Sequence, residues 1–562
     1  MAIRFSASYT PAPKGPPDAA APTDDARRAR LQAVHALAQR GEIEAASALA
    51  EQVLAEGIEH PLLLNLVAVK LETEGRLDEA EARLRRAVEL APREVGVLNA
   101  HGLALGRLER PHEALERFEA VVASAPQFAP GHYNRAAALD ALGRLSEAEA
   151  GYRRALELQP EHVPARAGLA SLALRRGRHL DAKRLAEQAL ATEPGVFDPE
   201  MTLAAAELAL GDAAAAEARV RALIEDPRRT PLERALAEGL LGDVFDAEDR
   251  PAEAFAAYEA CNAARREIYA PAYAEGPSTL DAARWIAAYF EQADPAAWAD
   301  GPASPPTGQE AGGHVFLIGF PRSGTTLLEN VLAGHPEVAT LEEQETLIDS
   351  LRLYMRDPAG LDRLAAASPY ELAQARAAYW RRVADAGVEV RGKVFVDKHP
   401  FNTLKLPLIL RLFPGAKVLV ARRDPRDVVL SCLRRRFRMS PSTYALLTLE
   451  GTAHLYDAAM RLAGWLESNL PAKAHVVRHE ALIEDFDAEV GAVCDFLGLE
   501  WTEAMRDFAR RPGERDVATP SSAQLARGLS KEGVGVWRRY AGQLAPVMPV
   551  LQPWVQRFGY PG

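Results

Sequence analysis

Cysteine is almost missing from this chain of 562 residues: only Cys261, Cys432 and Cys494 occur, and they lie far apart. That spacing excludes a disulfide framework and a cysteine-based metal cluster, and it suits a reducing compartment. Long apolar runs are missing as well. No stretch approaches the ~18 uninterrupted apolar residues of a membrane span, and the opening Met1-Ala-Ile-Arg-Phe-Ser-Ala-Ser8 lacks the apolar core of a signal peptide. A cytoplasmic protein is expected. Positive charge is also in short supply: 66 Lys and Arg face 78 Asp and Glu, a net charge of −12. This argues against nucleic acid as a partner of the whole chain but leaves room for a local basic pocket.

What is present divides the chain in two. It is too long for one core, and 48% of its residues are hydrophobic, so several domains are expected. Residues 1–26 carry Pro11, Pro13, Pro16, Pro17 and Pro22 and read as a disordered tail. The chain then repeats itself. Alanines recur at Ala46, Ala80, Ala114, Ala148, Ala182 and Ala216, always 34 apart, and prolines keep the same step at Pro92, Pro126, Pro160 and Pro194. Leu84, Phe118, Tyr152, Ala186 and Val220 follow the alanines by four and share their helix face, while Gly41, Gly75, Gly143, Gly177 and Gly211 precede them by five and end the helix before. This predicts two short helices per unit stacked into an α-solenoid over 27–265. A looser seventh unit follows around Ala254 and Tyr258, after an insertion at Pro227–Pro231. The period and its residue pattern resemble the tetratricopeptide repeat, which implies a peptide or protein partner or a brace for the second domain.

Residues 266–313 read as a helical connector near Leu280–Gln292 followed by a Pro- and Gly-rich linker. A second domain, 314–562, opens with an apolar run that stops at Gly319 and becomes an amphipathic helix after Ser323: strand, phosphate loop, helix. The spacing from Gly319 to Gly324-Thr325-Thr326 outlines a phosphate-cradling loop, but its usual lysine is absent. Arg322 supplies the charge instead, which points to a nucleotide with a shorter 5′ chain than a triphosphate. Further apolar runs at Lys393–Asp397, Ala416–Arg422 and Ala474–Arg478, separated by helical patterns, predict an α/β domain with a parallel sheet covered by helices, binding ligands at the strands' carboxyl ends. The third run leads into Arg422-Arg-Asp-Pro-Arg-Asp-Val-Val-Leu-Ser431, where Pro425 can open a helix and Arg423 and Ser431 can bracket a second phosphate. The alternative is a solvated basic face, since Arg434, Arg435, Arg436 and Arg438 follow.

Pro321-Arg-Ser-Gly-Thr-Thr326 resembles the 5′-phosphosulfate loop of sulfotransferases, and Arg423 with Ser431 resembles their 3′-phosphate motif. The resemblance covers about 314–545. It implies a P-loop-like fold with 3′-phosphoadenosine-5′-phosphosulfate (PAPS) as donor, adenosine 3′,5′-bisphosphate as product and no metal. The chain is most similar to tetratricopeptide–sulfotransferase fusions of bacteria and, more distantly, to tyrosylprotein sulfotransferases. Pro321, Arg322, Ser323, Gly324, Thr325, Thr326, Arg423 and Ser431 are then expected to bind the donor. His335-Pro-Glu-Val338 with Glu342-Glu343 matches the segment that carries the tyrosylprotein branch's general base, which implies that role for Glu343, and Lys398-His-Pro-Phe401 implies Lys398 as the cation that neutralises developing charge. Two alternatives stay open there: an acidic helix start at Glu342, Glu343 and Glu345, and His399 as the base, as in a cytosolic-type Lys-Thr-His-Leu-Pro setting.

The chain departs from the pattern at His479, where many relatives carry Tyr before Glu. Near the C-terminus, Arg527-Gly-Leu-Ser-Lys-Glu-Gly-Val-Gly-Val-Trp537 resembles the segment that closes over the 3′-phosphate, with Arg527 or Lys531 as the cation. The expected activity is sulfuryl transfer to a hydroxyl acceptor, a protein tyrosine, peptide, carbohydrate or small metabolite, recruited by the repeats. The other readings are a scaffold whose sulfotransferase-like domain binds nucleotide without turnover, and a nucleoside-triphosphate kinase.

Overall fold

Alanine and glycine at a fixed step decide how closely the N-terminal helices approach. The computed structural model describes residues 24–299, 311–509 and 529–562. Most of the expected tail lies outside these residues, but its last three do not: Asp24–Gln39 is a helix, with Asp24 and Asp25 in the first turn where the helix dipole favours acids. Paired helices of 13 and 14 residues follow, such as Pro61–Thr73 with Leu77–Leu90 and Val95–Arg107 with Pro111–Ser124. All six alanines of the 34-residue series are at most 1% exposed, so a methyl is what the helix contacts admit. Space left beside small residues is filled by the aromatic that follows: a Cβ on Gly102 would lie 2.6 Å from the Phe118 ring. Turns within the pairs close on a left-handed residue, as at Gly75 (φ 77°), and Glu109 takes φ 56° at the next such place although it is not glycine.

The insertion at 227–231 gives the last repeat helix, Pro231–Ala247, its start, through a reciprocal cap between Thr230 and Glu233. Its partner, Pro251–Tyr273, is 23 residues long and buries Ala254 and Tyr258. The expected connector helix is Thr279–Gln292, capped by Ser278 and Asp281. Residues 300–310 of the expected linker lie outside the described residues. The chain forms two compact units, and their division falls within the repeats. The first takes the repeats up to Thr202 apart from Arg175–His179, and the second takes those five residues and Leu203 onward, so the last repeat hairpin groups with the C-terminal domain.

That domain is built on a five-stranded sheet: β1 Gly313–Ile318, β2 Val338–Glu342, β3 Val394–Lys398, β4 Lys417–Arg422 and β5 Ala474–Arg478. Their order is β2-β3-β1-β4-β5, and every neighbouring pair is parallel. Phe316, Leu317, Ile318, Phe395, Val396, Leu419 and Val420 are all 0% exposed, as expected of strands covered by helices on both faces. Four strands lie within a residue or two of the apolar runs. The fifth, β2, is a short edge strand with no such run. No helix among the described residues is long and apolar enough to cross a membrane.

Candidate functional site

The loop after β1 is shaped by three residues that tolerate little else. At Gly319 a Cβ would lie 2.8 Å from the Ala421 carbonyl of β4, and the Gly319 N–H donates to Thr403 Oγ1 at 3.0 Å. Ser323 closes the loop on itself: its Oγ accepts from the Phe320 N–H at 3.3 Å, and its N–H donates to the Phe320 carbonyl at 3.0 Å. Gly324 has φ 98° and opens the helix Thr325–Leu332, in which Thr325 and Thr326 are buried. The first N–H groups of a helix have no intrahelical partner, so this loop presents donors and the positive end of a dipole. Arg322 takes φ 73°, an uncommon conformation for a residue with a side chain.

That side chain joins the two phosphate motifs. Arg322 Nε donates to Ser431 Oγ at 3.0 Å, and Arg423 Nη1 donates to the Arg322 carbonyl at 3.1 Å. Ser431 stands on the helix Pro425–Leu433, opened by Pro425 and capped by Asp424, which receives the Arg426 N–H. Two residues past the end of that helix lies Arg435. Burial and the charges of Arg435 and Arg423 lower the Arg322 guanidinium to about 9. Among the described residues Arg435 makes no ion pair. Three guanidiniums thus converge at the carboxyl ends of β1 and β4, an arrangement that favours an anion. The basic run is not a solvated face. Arg423 is 8% and Arg426 1% exposed; Arg426 pairs with Asp424 at 2.8 Å and lies over the Trp537 ring, and Arg422 pairs with Glu467 and lies over Phe558.

On the other side of β1, strand register brings a second cluster together. Lys398 ends β3 beside Leu317 of β1 and Glu342 of β2. Its ammonium is fully buried and meets Glu343 at 2.8 Å, Glu342 at 3.2 Å and Glu329 of the loop helix at 3.2 Å. Burial opposes the lysine's charge, but the three carboxylates hold it above the ordinary lysine value. Burial pushes Glu329 up to about 8, whereas at Glu343 the opposing effect of burial is outweighed by Lys398, His399 and Arg322, which keep it below the usual carboxylate range. Glu343 is also the accessible member, with its side chain 39% exposed against 20% for Glu342 and 6% for Glu329. It is not a helix start: Glu342 ends β2, Glu343 turns the chain at φ 47°, and the next helix begins at Ile348.

His399 faces away from this cluster in chemical terms. Its Nδ1 accepts from the Phe401 N–H at 3.2 Å, which leaves the proton on Nε2, and Nε2 meets Glu345 at 3.3 Å. Glu345 also pairs with Lys405 at 2.6 Å; burial favours its neutral form, yet His399 and Lys405 hold it well below the usual carboxylate range. Beneath these groups Asp397, 0% exposed, accepts from Thr346 and Tyr379 at 2.8 Å each and from Asn402 at 3.2 Å, anchoring the end of β3.

The closing segment reaches the arginines through its backbone. Arg423 donates to the Gly533 carbonyl, and Asp427 accepts the Gly535 and Trp537 N–H groups at 2.7 and 2.8 Å. Lys531 is exposed, and Arg527 lies outside the described residues. His479, the departure from the expected Tyr, packs on the loop: a Cβ on Gly324 would lie 2.9 Å from its Nδ1. That Nδ1 and Arg423 Nε are buried without a hydrogen-bond partner. Burial, with Arg423 and Arg322, lowers His479 to about 3, so it is neutral. Sequence reasoning missed Glu329 and Arg435. Arg435 sits just past the helix that carries Ser431, and nothing local marked either residue.

Residues 314–503 match the sulfotransferase family, and residues 129–162 match the tetratricopeptide repeat. The chain is 27% identical over 247 residues to an uncharacterized protein of Aquifex aeolicus, covering 42% of this chain and 32% of that protein. It is 25% identical over 260 residues to protein-tyrosine sulfotransferase 2 of Gallus gallus, covering 44% of this chain and 69% of that one. It is 30% identical over 233 residues to the nodulation protein NoeE of Sinorhizobium fredii, covering 34% of this chain and 54% of that one. The chain therefore spans about a third of the first of these relatives and little more than half of the third. With its loop, its arginine helix and its parallel sheet in place, this is a tetratricopeptide-repeat protein whose C-terminal domain belongs to the sulfotransferase family.

Proposed function

We propose that the C-terminal domain moves a sulfuryl group from PAPS to a hydroxyl acceptor. The observation that carries this reading is the convergence of Arg423 and Arg435 on Arg322, which also acts on Glu343 of the Glu343–Lys398 pair, the loop bearing Arg322 being without the lysine a triphosphate needs. The residues present fit the nucleotide. Arg423 Nε and His479 Nδ1 are buried polar atoms without partners, and Gly324 keeps the loop backbone open where a side chain would meet His479. Pro321 to Thr326 would hold the 5′ end; Arg423, Ser431 and Arg435 would hold the 3′-phosphate, with Arg527 or Lys531 beyond them. When bound, the nucleotide supplies an activated sulfuryl group.

The chain's own part is to orient and to manage charge. Glu343, ionised and exposed, accepts the proton of the acceptor hydroxyl, and Lys398 fixes that carboxylate while contributing positive charge next to Arg322. His399 has both ring nitrogens engaged, so it positions Glu345 rather than acting as base. The acceptor class follows relatives named for protein tyrosine, and a carbohydrate hydroxyl fits the same chemistry. We place the enzyme in the cytoplasm, with the repeats recruiting acceptor or partner.

Thermal-shift titration tests the donor assignment. Charge-assisted hydrogen bonds contribute ~1.5–3 kcal/mol each, so losing the 3′-phosphate should weaken binding by at least ~10-fold. Adenosine 3′,5′-bisphosphate should therefore raise the melting temperature far more than AMP. Equal stabilisation by the two removes the 3′-phosphate site, and tighter binding of ATP makes the domain a kinase. Labelled PAPS incubated with candidate acceptors then separates an enzyme from a scaffold that binds nucleotide without turnover.

A further inference from the structure

The last repeat hairpin, Pro231–Ala247 with Pro251–Tyr273, carries polar groups that stacking of repeats does not need. Asn262 and Arg265 are each only 3% exposed, and neither is directed at another repeat. Asn262 Nδ2 donates to the Leu433 carbonyl at 2.8 Å, capping the arginine helix at an end where carbonyls have no intrahelical partner. Arg265 donates to the Phe437 carbonyl and meets Met439 Sδ at 3.0 Å. From the first helix of the hairpin, Asp246 pairs with Arg434, and Asp243 pairs with Arg436 at 2.7 Å. The approach is close: a Cβ on Gly239 would lie 2.8 Å from Arg436 Cδ.

The outer two of three successive arginines are thus neutralised by the hairpin, and the middle one, Arg435, remains beside Arg322. The same hairpin holds the opposite wall. Asp246 accepts from Tyr540 Oη, its carbonyl accepts from Arg539 at 2.8 Å, and Asp249 accepts from Arg539 at 2.8 Å. Arg539 and Tyr540 end the segment whose Gly533 carbonyl receives Arg423 and whose Gly535 and Trp537 are held by Asp427. One repeat hairpin therefore sets both the helix bearing Ser431, with Arg435 just past its end, and the segment that closes on Arg423.

We propose that this hairpin is a positioning wall of the nucleotide site: Asp243 and Asp246 hold Arg423, Ser431 and Arg435 convergent, so that selectivity for a 3′-phosphate depends on repeat residues that do not touch the nucleotide. The inference rests on the PAPS reading above. Its physical basis is twofold. Without the two carboxylates, Arg434 and Arg436 would add uncompensated charge next to Arg435, itself beside Arg322, and like charges this close separate. Without the contacts at Leu433 and Arg539, neither wall has a fixed position relative to the other. It follows that whatever bends the end of the repeat array changes donor affinity, because a site's affinity tracks the conformation that its walls adopt.

The test is calorimetric titration of the full chain with adenosine 3′,5′-bisphosphate and with AMP. The wild type should prefer the bisphosphate, and the Asp243→Asn/Asp246→Asn variant should lose that preference by ~10-fold or more while AMP affinity stays within about twofold. Asn262→Leu, which removes only the helix cap, should reduce the preference in the same direction and serves if the double variant does not fold. Glu253→Gln, on the same hairpin but paired with Arg250 at 2.6 Å rather than with either wall, should change nothing. A folded double variant with the wild-type preference overturns the inference, as does an equal loss for both nucleotides, which would mean a merely structural role. If the wild type itself shows no preference, the donor reading fails and the inference falls with it.

Discussion

Replacing Glu329 with glutamine should make the C-terminal domain more stable at alkaline pH, the opposite of what removing an ion-pair partner from a buried lysine normally does. Lys398 is surrounded by Glu329, Glu342 and Glu343 at 3.2, 3.2 and 2.8 Å. With all three ionised, the cluster would carry two uncompensated negative charges in a place where Lys398 is 0% and Glu329 4% exposed. Burial accordingly pushes Glu329 from 4.5 up to about 8. A carboxyl raised on folding binds its proton more tightly in the folded state. Its contribution is fully present below about 4.5 and is lost as pH rises through about 8. At ~1.4 kcal/mol per unit the shift corresponds to at most ~5 kcal/mol, and coupling to the other carboxylates spreads the titration, leaving about 2 kcal/mol to measure. Glutamine reproduces the neutral form at every pH. Scanning calorimetry should show the two proteins alike near pH 4 and the variant melting roughly 4–8 °C higher near pH 8.5, for a domain of this size. A variant destabilised equally at both pH values would mean that Glu329 is ionised and needed by Lys398, and the reasoning would be wrong.

Two further outcomes address catalysis and the loop. With an acceptor in hand, Glu343→Gln should lower turnover by ~100- to 10,000-fold with little change in nucleotide affinity, while His399→Asn, which leaves the cluster around Lys398 intact, should cost far less; the reverse order in steady-state rates would restore the histidine as base. Gly324→Ala places a Cβ 2.9 Å from His479 Nδ1 at a φ of 98°. It should abolish stabilisation by adenosine 3′,5′-bisphosphate in thermal-shift assays and lower the melting temperature of the unliganded protein by a few degrees, and normal nucleotide binding would show that the loop backbone is not the cradle.

Much of this protein was legible in order of locality. The 34-residue step was readable because each repeat uses the same small residue where two helices touch, and Ala46 through Ala216 are indeed the buried points of contact. The loop after β1 was readable because Gly319, Arg322 and Gly324 fall within six residues, and four of five strands because a strand covered on both faces is apolar throughout. The edge strand β2 escaped notice, since Val338-Ala-Thr-Leu-Glu342 is short and ends in a carboxylate. The hairpin turn at Glu109 escaped it too, because the backbone tolerates a left-handed glutamate where the pattern asks for glycine.

By itself the sequence determined the repeat period, the α/β class of the second domain and the residue types of the candidate site, because each of these depends on spacing within a few turns of one element. The tertiary structure decided how those residues divide their work. Parallel register set Glu342 beside Lys398, the loop helix brought Glu329 to the same ammonium, and burial raises the Glu329 carboxyl while Lys398, His399 and Arg322 lower that of Glu343. Both His399 nitrogens are occupied by groups that its own segment does not reveal alone, Glu345 being 54 positions earlier in the chain. The arginines of one short run were assigned to different neighbours, Arg434 and Arg436 to carboxylates of the last repeat and Arg435 to the side of Arg322. Charge interactions depend on distance in space and on burial, and neither is a property of neighbouring positions in a chain.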